Sequence, residues 1–241
     1  MSRHHPADQR VVDWLEQQHP DQGVAADGVW RDRQRQETRA RILQAALDLF
    51  AERGYEGASV RDIAKRAGVT HGMIKYHFED KDRLWRAAVS FLFSRMAEEI
   101  EVTPPADSPD ADFRALKGFI RQYVRYCARH PEHARIMVQA SMRNDERFRW
   151  ILDNFTAEQH KITMAGMKRH MDRGLWPNVP MVSLTYITVA ACQTIFMLAA
   201  EAKHLHDTDV LTDEMIDRHA DTIITLFFSH RVDLPAGADP A

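Results

Sequence analysis

The sequence predicts an all-α protein, a small N-terminal module of three helices followed by a larger helical domain. Three observations carry that expectation. Apolar residues recur at helical spacing along most of the 241 residues, and no alternating strand pattern competes. Residues 59–78, SVRDIAKRAGVTHGMIKYHF, spell two short amphipathic helices joined by a tight turn. Residues 102–112, VTPPADSPDAD, then interrupt the helical pattern with prolines and aspartates.

Taken in order, residues 1–30 read as an N-terminal extension, disordered or loosely docked. Val11, Val12 and Leu15 give residues 8–19 a helical turn or two, and Pro20, Gly23 and Gly28 oppose any continuation. RDRQRQETR then places Arg31, Arg33, Arg35 and Arg39 ahead of the first helix, as a solvated linker or as an arm reaching phosphates or the minor groove. The helix from Arg39 to Arg53 carries Ile42, Ala46, Leu49 and Phe50 on one face and ends at Gly54. Ser59 can N-cap the next, with Asp62 at the capping-box position, Ile63, Ala64 and Ala67 along one face, and Gly68 as a left-handed C-cap. Thr70 can cap a third, whose Ile74 and Phe78 fall at i and i+4. Asp80 opens a long helix that closes near Glu101.

After the break, Phe113–Arg129 carries Leu116, Ile120, Tyr123 and Cys127 at helical spacing, and Pro131 suits the first turn of the next helix. A long helix is expected from Asp145 to Arg173, ended by Gly174 and Pro177. Val182–Ala202 is apolar around nearly its whole circumference, so it needs cover on every side. Thr212–His230 is apolar along Ile223, Ile224, Leu226, Phe227 and Phe228, more than one narrow stripe needs.

Charge divides the chain. Residues 31–86 hold 13 Lys/Arg against 9 Asp/Glu, a net +4, which leaves −7 on the rest. A basic module on an acidic body attracts phosphate locally, because the field acts within about 10 Å at moderate salt. No stretch approaches the roughly 20 apolar residues of a membrane span, and MSRHHPADQR has no apolar run like that of a secretory signal. Cys127 and Cys192, lying far apart, fit a reducing cytoplasm.

The outward residues of the third helix, His71, Gly72, Met73, Lys75, Tyr76 and His77, are small, basic, aromatic and hydrogen-bonding. A short helix with that face, held by its predecessor, enters the DNA major groove in helix-turn-helix proteins. The stretch RARILQAALDLFAERGYEGASVRDIAKRAGVTHGMIKYHFEDKDRLWRAAV, Arg39 to Val89, resembles the tetracycline-repressor (TetR) family of bacterial transcriptional regulators, including G-x-I-x-x-H-F-x-x-K-x-x-L.

The resemblance implies an extension (1–30), a DNA-binding domain (31–86), a helical effector-binding and dimerisation domain (87–232) and a disordered tail (233–241). It implies a homodimer joined through the last two helices, a repressor released from a palindromic DNA operator by a small apolar or aromatic effector. Thr70, His71, Gly72, Met73 and Lys75 would face bases or flanking phosphates, and Tyr76 and His77 the backbone. Arg61 aligns with a position that reaches a base, and Lys81 with a phosphate-binding lysine. One departure is Lys75, where family members often carry tyrosine; here the aromatic residue follows at Tyr76.

The effector pocket would draw on Tyr123, Met137, Gln139, Phe148 and Phe155, and on His160, Met164, Met167, Tyr186 and Gln193. Methionine and aromatic side chains also fill ordinary cores. The 13 histidines include the pairs His130/His133 and His204/His206, which read as exposed helix-end residues rather than metal ligands. No metal or cofactor is expected. G-x-S-x-G, P-loop and G-x-G-x-x-G motifs are absent, so an all-helical enzyme, or an architectural DNA-binding protein without effector, stands second.

Overall fold

The computed structural model describes residues 9–18, 26–101 and 108–232, so the proline-rich stretch 102–107 and the expected tail at 233–241 lie outside the described residues. Every element among them is helical. The helices are α1 (Gln9–Gln18), α2 (Ala26–Gly57), α3 (Val60–Ala67), α4 (His71–Phe78), α5 (Lys81–Glu99), α6 (Pro109–Arg129) and α7 (Pro131–Arg143). They continue as α8 (Glu146–Ile151), a π-helical turn (Leu152–Thr156), α9 (Ala157–Asp172), α10 (Met181–Met197), α11 (Ala199–His206) and α12 (Asp213–Val232).

The chain forms two compact units, one of residues 1–95 with 135–144, the other of 96–134 with 145–241. The first unit contains α1, where the sequence suggested disorder or loose docking. Val11, Val12, Trp14 and Leu15 are all buried, and Trp14 meets Phe91 edge to face at 5.5 Å. α1 packs on α2, and this explains a second departure. The arginine-rich stretch before Arg39 is not a linker: α2 is already helical from Ala26, with Gln36, Thr38 and Ala40 buried and Arg33 3.5 Å from Glu37 one turn on. α2 breaks where expected, at Gly54 (φ 70°, ψ 174°), a backbone that favours glycine. Residues 135–144 belong with this unit because the Gln139 amide donates to the Ala51 carbonyl at 3.0 Å and Arg143 lies 3.9 Å from Glu56.

In the second unit α6, α10 and α12 pack together around Leu116, Ile120, Val124, Cys127, Leu184, Cys192, Phe196, Ile223 and Phe228. α6 starts earlier than expected, at Pro109, because the Ser108 hydroxyl accepts from Ala111 N–H at 3.2 Å and proline suits the first turn. The long helix expected from Asp145 is interrupted by the π-helical turn. The apolar helix expected over 182–202 breaks at Leu198 (φ −102°, ψ 22°), with 67° between α10 and α11.

His130 and His133 are not exposed helix ends. His133 is buried with Nδ1 2.6 Å from the Tyr126 hydroxyl, and His130 Nε2 lies 3.0 Å from the Glu99 carboxylate. Among the described residues no three His, Cys, Asp or Glu side chains are grouped to hold a metal, and no single helix is long and apolar enough to cross a membrane.

Candidate nucleic-acid interface

The interface is built by α3, the turn after it, and α4. At the start of α3 the Ser59 hydroxyl accepts from Asp62 N–H at 3.1 Å, a cap that contributes about 1 kcal/mol. The Asp62 carboxylate pairs with Arg53 at 3.2 Å. At the other end Gly68 is left-handed (φ 66°, ψ 35°), and its N–H donates to Lys65 while Val69 N–H donates to Ala64 at 3.0 Å. That closure fixes the turn within two residues of Thr70. The Arg66 guanidinium grips both Glu52 oxygens, at 2.7 and 2.9 Å, and so ties α3 to α2.

Thr70 has the backbone of an N-cap, but its side chain makes no cap hydrogen bond, contrary to expectation. The first turn of α4 is closed by backbone instead, Met73 N–H donating to the Thr70 carbonyl at 3.0 Å. The hydroxyl is therefore left on the surface. Ile74 and Phe78 are buried, and each side chain taken from water contributes about 2 kcal/mol toward holding α4 in place. Their spacing leaves Thr70, His71, Gly72, Lys75 and Tyr76 exposed, with Met73 on the flank.

His77 departs from the outward face assigned to it. It sits at i+3 from Ile74, on the edge of the buried side, so the ring is half-buried with Nε2 buried. Burial first, then Arg39 and Arg35, hold its imidazole below the usual histidine range. Lys81 opens α5, where Asp80 caps as expected by accepting from Arg83 N–H at 2.8 Å, but the Lys81 ammonium lies 4.3 Å over the Tyr55 ring. Arg61 is exposed on α3 and, like Lys75, makes no ion pair among the described residues. Arg83 and Arg86 on the next helix are instead taken by Glu79 and Asp82, at 2.7 and 2.6 Å.

The residues expected to line a pocket divide. Gln139 and Met137 belong to the first unit, where Gln139 serves as a structural clamp on α2. Tyr186 (69% exposed) and His160 lie on the surface, because their helical positions face away from the packed side of α10 and α9. In the second unit Tyr123 and Met167 pack against the same core, Met167 with its sulfur 3.5 Å from the Thr185 hydroxyl. The Tyr123 hydroxyl is pushed well up by burial, with Cys127 and Cys192 beside it, and burial pushes both thiols up to about 12. Met164 and Gln193 are half-buried on α9 and α10, and Phe148 and Phe155 on α8 and the π turn, where Phe155 meets Trp150 edge to face at 5.3 Å.

Comparison with known proteins follows from this geometry. The family of bacterial regulatory proteins called tetR matches residues 42–88. The HTH-type transcriptional repressor Rv3405c of Mycobacterium tuberculosis is 47% identical over 73 residues, 30% of this chain and 39% of that protein. The chain thus spans about two fifths of the length of that relative. The HTH-type transcriptional repressor AcnR of Corynebacterium glutamicum is 30% identical over 139 residues, 57% of this chain and 68% of the relative. Among solved structures, AibR in complex with isovaleryl coenzyme A and operator DNA superposes with a TM-score of 0.62 at 16% identity, over 80% of this chain and 98% of that one. Apo AibR gives 0.59 at 18%, over 79% and 98%. At such identities the likeness is one of fold.

Proposed function

This chain belongs to the TetR family of bacterial regulatory proteins, and from that premise we propose that it is a ligand-responsive transcriptional repressor acting as a homodimer on a palindromic operator. The observation that carries the reading is α4: a helix anchored by buried Ile74 and Phe78, presenting the side chains of Thr70, His71, Lys75 and Tyr76, and Gly72 between them, to solvent with no ion pair among the described residues. Residues 31–86 would bind DNA and residues 87–232 would take effector and partner subunit. Arg61 and the α4 face read base edges, while Lys75, Tyr76 and Lys81 meet phosphates.

The last helices support the second subunit. Val182, Tyr186 and Ile187 on α10 and Leu226 on α12 are 55–71% exposed, an apolar face that a second copy would cover. Two-fold symmetry then spaces the half-sites about one helical turn, ~34–36 Å, or somewhat more apart. AibR was solved with an acyl coenzyme A and operator DNA, which supports an effector here as well. It would sit among Tyr123, Met164, Met167 and Gln193 and act by preferring the conformer that mis-spaces the recognition helices, with α5 as the lever.

The test is fluorescence anisotropy with duplexes from the region upstream of the protein's own gene. Saturable binding that survives excess random duplex is expected, with Lys75→Ala weakening it. Binding no better than to random DNA would reject the reading.

A further inference from the structure

We propose that Glu79 is a positioning residue for DNA recognition, a strained turn that fixes the angle at which α5 carries α4. The inference rests on the DNA-binding reading and adds to it a residue that acts through its backbone.

α4 ends at Phe78 and α5 begins at Lys81, so Glu79 and Asp80 make the whole connection. Both sides of it are anchored. Ile74 and Phe78 are buried on α4, and Leu84 and Trp85 are buried near the start of α5. Asp80 is committed to capping α5: its carboxylate accepts from Arg83 N–H at 2.8 Å and its carbonyl from Leu84 N–H at 3.2 Å. Glu79 alone is left to redirect the chain. It does so at φ 64°, ψ −59°, with Asp80 N–H donating across it to the Phe78 carbonyl at 2.7 Å. Those angles and that bond make a γ-turn of positive φ, a rare and strained conformation. Glu79 N–H meanwhile donates to the Lys75 carbonyl at 2.9 Å, so α4 closes on the same residue.

Asn144 and Asp207 are the other non-glycine residues of positive φ among the described residues. Both have the short polar side chain that tolerates it, and Asp207 sits in the ordinary left-handed region at ψ 31°. Glutamate lacks that side chain, and ψ −59° lies outside that region. Such backbone persists only where its surroundings over-determine it, and it clusters at functional sites. Here the two buried anchor pairs impose it. The Glu79 carboxylate lies 2.7 Å from Arg83, but the two side chains are 65% and 63% exposed, so that pair contributes little. What the turn secures is direction. Reading base edges requires the side chains of α4 to arrive at a set angle, whereas attraction to phosphate does not.

Three variants of the full chain separate these roles: Glu79→Gly, Glu79→Ala, and an insertion of one glycine after Glu79. Both substitutions lose the Arg83 pair, so they differ in how they meet positive φ. In ordinary backbone alanine is the more stable choice; here Glu79→Gly is expected to melt roughly 2–6 °C above Glu79→Ala. Both should keep the natural preference for operator over random duplex, read by anisotropy. The insertion lets both anchor pairs stay packed and frees the angle. It is expected to bind random duplex as the natural chain does and to lose about 5- to 150-fold of the operator preference, the discrimination of one bidentate base contact. If the insertion does not fold, Glu79→Val, whose branched side chain fits positive φ worst, must lower the preference in its place. Glu79→Ala melting above Glu79→Gly would overturn the strained turn. A folded insertion variant with undiminished operator preference would overturn the positioning role while leaving the DNA reading intact. A natural chain that prefers no operator duplex would remove both.

Discussion

Replacing Gly72 with alanine should move stability and DNA affinity in opposite directions. Gly72 lies in the first turn of α4 with ordinary helical backbone, and a Cβ built there meets only the Thr70 hydroxyl, at 4.0 Å. The fold thus has room for a methyl group. Removing the glycine's extra freedom in the unfolded chain should stabilise the protein by about 0.5–1 kcal/mol, a rise of roughly 1–4 °C in Tm for a chain of this size. The same methyl would stand between α4 and the base edges. An extra carbon in a close-packed contact costs about 1–3 kcal/mol, roughly 5- to 150-fold in affinity. Thermal unfolding and anisotropy on the operator duplex, run on one preparation, measure both. Unchanged affinity alongside raised stability would refute the claim that position 72 approaches DNA. Lowered stability would refute the claim that the fold leaves it open.

Arg61→Ala should relax sequence preference, a bidentate arginine–base contact discriminating by about 1–3 kcal/mol, whereas Lys81→Ala should weaken all duplexes alike. Lys81→Ala should also lose about 0.5–1 kcal/mol of stability with its cation–π contact to Tyr55, read by denaturant unfolding; equal losses on operator and random DNA for both variants would remove the division of roles. His77 sets a pH dependence. Its folded imidazole titrates below 6.5, so on acidification the unfolded chain takes up the proton first. The stability of the neutral ring is therefore complete above about pH 6.5 and is lost as pH falls through that value toward the folded pKa. His170 is shifted the same way, so the quantity to follow is the Tm difference between His77→Gln and the natural chain, which should shift in favour of His77→Gln between pH 7.5 and 5; a constant difference would contradict it. Tyr186→Glu with Leu226→Glu, at 69% and 71% exposure, should give a folded monomer by light scattering, and a persisting dimer would place the subunit interface elsewhere.

What the sequence made legible is what short-range chemistry decides. Ser59, Gly68 and Asp80 act within one helical turn, and Ile74 and Phe78 are one turn apart, so caps, turn and anchored face could all be read from spacing. Thr70 marks the limit of that logic: its backbone took the expected role and its hydroxyl did not. Misreadings began where a partner distant in sequence decided the outcome. Trp14 anchors α1 only because Phe91 receives it, and once α1 covers α2 the arginine-rich stretch can remain helical. Gln139 was drawn to a pocket by its polarity, yet the Ala51 carbonyl claims it. Tyr186 was drawn there by its ring, yet it faces outward. His77 shows the same effect at a smaller scale, because one position of helical phase separates the exposed Tyr76 ring from the half-buried His77 ring beside it.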